Sequence, residues 1–209
     1  MKNVKIQTVL DAFQESVPRA FAFLEKDYGY RFTRDDEYAF TAIHEHSEVI
    51  VELDWGSVVV SIRPASTGRS VRLSFIVGAT DPEILFLPRY PWGPDEARDE
   101  VDRQAGLLRR FCEELLRGDF SRWPDLESHQ QNVLEQWRRE SERLVREARV
   151  KLVRRRADSA FQARRYSEAA QLLASIEEDL GDGERRKLDY ARRRLILKAV
   201  PGRRLEGIA

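Results

Sequence analysis

The run Tyr38-Ala39-Phe40-Thr41-Ala42-Ile43-His44-Glu45-His46-Ser47-Glu48-Val49-Ile50-Val51-Glu52-Leu53-Asp54-Trp55-Gly56-Ser57-Val58-Val59-Val60-Ser61-Ile62-Arg63 carries a period of two. Tyr38, Phe40, Ala42 and His44 share one face of a first strand. Val49, Val51 and Leu53 alternate with Ile50, Glu52 and Asp54, and Val58, Val60 and Ile62 alternate with Val59, Ser61 and Arg63. Such alternation buries one face of an antiparallel sheet and leaves the other wetter. Val71, Leu73, Phe75 and Val77 supply a fourth run. A two-residue turn at His46-Ser47 sets 44 against 49 and 42 against 51. A second at Trp55-Gly56 sets 53 against 58 and 51 against 60, and a longer loop through Pro64–Arg69 sets 62 against 71 and 60 against 73. The apolar rows then stay on one face, whereas a one-residue slip would turn a whole row outward. The pattern predicts an antiparallel four-stranded meander.

Helices flank the meander. Ile6, Val9, Leu10, Phe13, Val17, Phe21 and Leu24 recur every three or four residues, which predicts a helix on the N-terminal side. Pro18 is expected to interrupt it, with Ser16 capping a second helix that ends at Gly29. On the other side Gly93-Pro94-Asp95 opens a helix with Val101, Ala105, Leu108, Cys112 and Leu115 on its stripe, stopped by Gly118. Trp123-Pro124 marks a domain boundary. Beyond it the chain reads as helical. A long helix over 128–156 carries Leu134, Trp137, Leu144, Ala148 and Leu152 on one stripe. A short helix follows around Ala157–Ala163, another from Ser167 to about Leu180, and a last one from Glu184 to about Leu197. The expected fold class is therefore α+β: residues 1–124 form the meander packed with two helices, and residues 125–209 form an all-α extension.

Composition narrows the function classes. The chain has 209 residues, of which 42% are hydrophobic and 34% charged, enough apolar content for a core. No apolar run approaches the roughly 18–20 residues of a membrane span, and the first residues lack a signal-peptide stretch, so a cytoplasmic protein without membrane contact is expected. The single cysteine excludes an internal disulfide. The formal net charge is zero, yet residues 1–128 carry 16 basic and 23 acidic side chains while residues 129–209 carry 20 and 13. Such a split suits docking between the halves or an acidic partner for the basic half.

Two resemblances follow from particular residues. Phe23-Leu24-x-x-x-Tyr28-Gly29-Tyr30, the meander, and Leu107…Phe111…Leu115-Leu116-x-Gly118-Asp119 together resemble a loose group of small bacterial α+β proteins, some similar to immunity proteins encoded near polymorphic toxins. That resemblance covers about residues 5–125. It implies a protein-binding, defence-associated role and brings no catalytic motif. Ala160-Phe161-x-x-x-x-Tyr166-Ser167-x-Ala169-x-x-x-Leu173-x-x-Ile176 resembles one tetratricopeptide-type (TPR-like) helical hairpin, a single copy that must pack on its neighbours.

Candidate chemistry is sparse. His44-Glu45-His46-x-Glu48 could hold a metal through His44 and His46 on a continuous strand, but a turn at His46 leaves His44 as a core-edge residue. Glu52 and Asp54 share a face and read as the solvated side of a strand. His129 has no predictable partner and reads as a surface residue, and Cys112 reads as a buried thiol. Neither phosphate-cradling glycine motif nor a nucleophile elbow occurs. The expectation is a non-enzymatic protein-binding factor without a cofactor, using Phe86, Arg89, Tyr90 and Trp92 in a proline-aromatic segment. The first alternative is a nucleic-acid binder using Arg154, Arg155, Arg156, Arg185, Arg186, Arg192 and Arg193. The second is a metal-dependent enzyme using His44 and His46.

Overall fold

The computed structural model describes residues 2–84, 89–91 and 93–199. Contacts divide the chain into two compact units, Met1–Leu134 and Glu135–Ala209.

The first unit is mixed α+β around an antiparallel five-stranded sheet of order β1-β2-β3-β4-β5. The strands are β1 (Arg31–Arg34), β2 (Ala39–Ile43), β3 (Ser47–Asp54), β4 (Ser57–Pro64) and β5 (Val71–Arg72). Phe40 pairs with Val51 and Val51 with Val60; Ala42 pairs with Val49, Val49 with Ile62 and Ile62 with Val71. All of these are buried on one face. The other face carries the Glu48–Arg63 ion pair, directly across β3 and β4.

Four sequence expectations need correction. The sheet has five strands, because Arg31-Phe32-Thr33-Arg34 pairs with β2. The His46-Ser47 turn moves one residue upstream, so that 42 faces 49. That is a shift of two in pairing, and it keeps every row on its face. The run from Leu73 is a helix, α3 (Leu73–Thr80), and only Val71 and Arg72 pair with β4. Leu73, Phe75, Ile76 and Val77 are all buried there, and periodicity alone does not separate a short, fully buried strand from a short buried helix. Gln130 closes the ladder at this point: its side chain accepts from the Arg72 amide at 2.9 Å and donates to the Ser70 carbonyl at 3.0 Å. Finally, Pro18 does not break the first helix. α1 (Lys2–Ala20) runs through it, and the interruption falls at Phe21, before α2 (Ala22–Tyr28).

α1 packs on α4 (Pro94–Phe111), and both contact the sheet. Their stripes meet in one core: Leu10, Phe13, Val17, Phe21 and Leu24 with Val101, Ala105, Leu108 and Cys112. Ile6, the first member of the α1 stripe, stays outside this core at 61% exposure. Pro94 occupies the first turn of α4 with Asp95 and Glu96, and Arg109 and Arg110 occupy its last turn. Both placements suit the helix dipole. After Cys112 the helix restarts as α5 (Glu113–Leu116) and stops at Gly118, whose φ is +90°.

α6 (Trp123–Gln162) is one helix of 40 residues. It absorbs both the long helix expected over 128–156 and the short one expected around 157–163. In the second unit its later part packs with α7 (Tyr166–Ala174), a 3₁₀ turn at Glu177–Asp179 and α8 (Asp182–Ala199). α7 starts one residue before Ser167 and makes no side-chain cap. The core of this unit is Val150, Ala157, Ala170, Leu173, Ile176, Leu180, Leu188 and Ala191. No helix among the described residues is long and apolar enough to cross a membrane.

Trp55 and Gly56, the turn between β3 and β4, have φ of +48° and +82°, as a type I′ hairpin turn requires. Trp55 is 95% exposed, so its side chain returns little packing for a left-handed backbone that costs a non-glycine residue roughly 1–2 kcal/mol. Trp55→Asn is expected to stabilise the protein by about 0.5–1 kcal/mol, read as a raised urea midpoint. Phe13→Ala, at a fully buried position, is expected to cost about 3–5 kcal/mol in the same measurement.

Candidate functional site

The hairpin between β2 and β3 has a two-residue turn. His44 donates its amide to the Ser47 carbonyl at 2.8 Å and accepts from the Ser47 amide at 3.3 Å, leaving Glu45 and His46 at the centre. The two imidazole centroids lie 4.0 Å apart. His46 Nε2 is 3.2 Å from the Leu116 carbonyl. A carbonyl only accepts, so Nε2 carries a proton, and in the neutral ring Nδ1 is the nitrogen with the lone pair. Tyr30 stands 5.2 Å from His44, centroid to centroid. Its hydroxyl meets Ser47 Oγ at 2.5 Å and donates to the Leu116 carbonyl at 3.5 Å. Burial pushes the Tyr30 phenol above its ordinary value.

Three separate stretches of chain thus meet here. Tyr28-Gly29-Tyr30 arrives through Gly29, left-handed at φ +74°, which ends α2 beside the His44 ring. Leu115-Leu116-x-Gly118-Asp119 arrives through Gly118, where an added Cβ would lie 3.2 Å from His46 Cγ. His44 and His46 are half-buried and Glu45 is exposed. Each of the three offers a ligand atom within 4.8 Å of the others. Sequence reasoning singled out His44 and His46 but missed Tyr30, Ser47 and the Leu116 carbonyl. The glycine in each of the two flanking motifs was the available signal.

The other candidates sit apart from this cluster. Glu52 and Asp54 are exposed, as expected, and Arg72 lies 3.9 Å from Asp54. His129 is half-buried over Gly78 of α3 rather than on the open surface. Cys112 is fully buried, and burial pushes its thiol up. Of the proline-aromatic segment, Phe86 and Trp92 lie outside the described residues. Arg89 and Tyr90, with Pro91, Glu96, Asp99 and Glu100, line an open pocket of about 390 Å³.

In the second unit the seven arginines divide. Arg154 is committed internally, 2.8 Å from Glu184 and donating to the Asp179 carbonyl at 2.6 Å. Arg192 pairs with Glu177 at 3.2 Å. Arg155, Arg156, Arg185, Arg186 and Arg193 are exposed and form no ion pair with a described residue. The stripe expected along the long helix is exposed as well, with Leu144 at 52% and Leu152 at 58%, and Val145, which was not part of that stripe, is exposed beside it at 69%. α6 uses its opposite side, with Val150, Val153 and Ala157, to pack in this unit. At about 100° per residue Val150 and Leu152 are roughly 160° apart around the helix. Arg149, Lys151, Arg155 and Arg156 surround Leu152 and make no ion pair with a described residue.

Comparison with known protein families, with curated proteins and with solved structures finds no match to this chain.

Gly118→Ala combines a left-handed backbone with a clash against His46, and is expected to destabilise by about 1–3 kcal/mol in urea unfolding. The Cys112 thiol stays protonated in the native protein, so labelling by a thiol reagent is expected to follow global unfolding rather than thiolate population. Because its native pKa stands above the unfolded value near 9.0, the associated stability is whole below that pH. It falls as pH rises further and the unfolded chain ionises. Cys112→Ser should flatten that decline.

Proposed function

We propose that this chain is a non-enzymatic protein-binding factor, immunity-like or defence-associated in a bacterium, whose α6 holds an acidic partner protein. The observation that carries this reading is the exposed apolar face Leu144–Val145–Leu152, rimmed by Arg149, Lys151, Arg155 and Arg156. Burying a Leu or Val side chain contributes about 1.5–3 kcal/mol, so an exposed row of them within a cationic rim suits a partner with an apolar ridge flanked by carboxylates. The excess of basic over acidic side chains in residues 129–209 supports the same partner chemistry. The hairpin made by the end of α6 and by α7, read as TPR-like over Ala160–Ile176, braces the opposite side of the helix together with α8 in this proposal. Arg89 and Tyr90 form a separate candidate contact in the first unit.

A second reading, nucleic-acid binding, draws on Arg155, Arg156, Arg185, Arg186 and Arg193, which are exposed and form no ion pair with a described residue. It ranks below the first because Arg154 and Arg192 are spent on internal pairs and because phosphate binding makes no use of the apolar row.

Co-expression with the products of neighbouring genes tests both readings. A stoichiometric complex is expected by size exclusion with mass detection. Val145→Asp and Leu152→Asp are each expected to weaken it by about 30-fold or more with an unchanged circular dichroism spectrum. A lone monomer with every neighbour, or a complex indifferent to both substitutions, overturns the proposal. Affinity for DNA or RNA that collapses between low and moderate salt, and is lost on charge reversal at Arg155 and Arg156, establishes the second reading instead.

A further inference from the structure

The β2–β3 hairpin tip holds polar atoms that the protein-binding reading does not use. His44 Nδ1 is buried and has no hydrogen-bond partner among the described residues, a condition that buried ring nitrogens rarely keep without a ligand. His46 has its Nε2 proton fixed on the Leu116 carbonyl, the outer contact that orients a metal-binding imidazole and leaves Nδ1 as the donor. Glu45 lies between them in the turn, exposed, and one ligand atom from each of the three residues lies within 4.8 Å of the others. We infer that His44, Glu45 and His46 bind one divalent transition-metal ion of the zinc class.

The donor set selects the ion. Two imidazoles and one carboxylate suit zinc, cobalt or nickel, whereas magnesium and calcium prefer all-oxygen shells. A tetrahedral ion with bonds of about 2.0–2.1 Å holds its donors about 3.3 Å apart, so closure asks for movements of roughly 1–1.5 Å. Glu45, exposed at the turn centre, can supply its share by side-chain rotation. Water would complete the shell as the fourth ligand. Gly29 and Gly118 keep the space beside the rings free of Cβ atoms. The buried Tyr30–Ser47 pair anchors the start of β3 immediately after His46. Bound metal would tie the hairpin tip into a single closed loop, and through His46 to the end of α5. This site is independent of α6, so either proposal can fail without the other.

Titration calorimetry of the full chain with ZnCl₂ tests the inference, with visible absorption of the Co²⁺ form as a second readout. One ion per chain is expected. His44→Ala and His46→Ala should each lower affinity at least about 10-fold, and His129→Ala should leave it unchanged. Histidine side-chain nitrogen NMR of the wild type during Zn²⁺ addition guards against misfolded variants: the rings of His44 and His46 should shift, with His46 bound through Nδ1, while His129 stays put. No saturable binding, retained affinity in both folded variants, or a response at His129 alone overturns the inference.

Discussion

Phe40, Val51 and Val60 form one row across the sheet, and Ala42, Val49, Ile62 and Val71 form the next. The core of the first unit is built on these two rows. In register, each fully buried Val or Ile contributes about 1.5–3 kcal/mol. A slip of one residue in β3 would turn Glu48 and Glu52 inward, and burying an unpaired carboxylate costs several kcal/mol each. The penalty exceeds the gain from turning Ile50 inward. The register is therefore a steep minimum, and α1 and α4 need only present apolar stripes to an already specified face.

That register also brings the histidine hairpin to its neighbours. A two-residue turn at Glu45-His46 requires His44 to face Ser47. Ser47 then points inward with Val49 and Val51, where its hydroxyl reaches Tyr30. Tyr30 follows directly from the left-handed Gly29 that ends α2, and the Leu116 carbonyl comes from α5, at the far end of the helix that packs on α1. The cluster is assembled by elements separated by up to 86 residues, each held by its own part of the core. Gly29 and Gly118 sit where two backbones must pass close to imidazole rings, which is the physical content of the two short motifs.

The sheet and the helix stripes were legible because period two and period 3.6 are strong signals over eight or more residues. β1 was not, since Arg31-Phe32-Thr33-Arg34 offers one apolar residue between two charges. α3 was misread because six of its eight residues are apolar or glycine, a pattern without a clear period. The β2–β3 turn was displaced because no Asn-Gly pair marks it, and its apolar rows match equally well under a shift of two. Of the candidate site, His44 and His46 were visible from spacing. Tyr30, Ser47 and a backbone carbonyl were not, because their roles depend on a tertiary meeting point rather than on local pattern.

α6 shows why a regular stripe does not by itself identify a buried face. Leu144, Ala148 and Leu152 have the spacing of a core, yet the second unit packs through Val150, Val153 and Ala157. Small and β-branched residues let α7 and α8 approach closely, whereas the longer leucines project on the other side. Covering what Leu144, Val145 and Leu152 still expose would contribute about 3–5 kcal/mol in total. Association itself costs an estimated 4–15 kcal/mol. The apolar row alone is thus too short to hold a partner tightly. The cations around Leu152 must supply steering and rim contacts as well, and so the occupant proposed for this face is acidic as well as apolar.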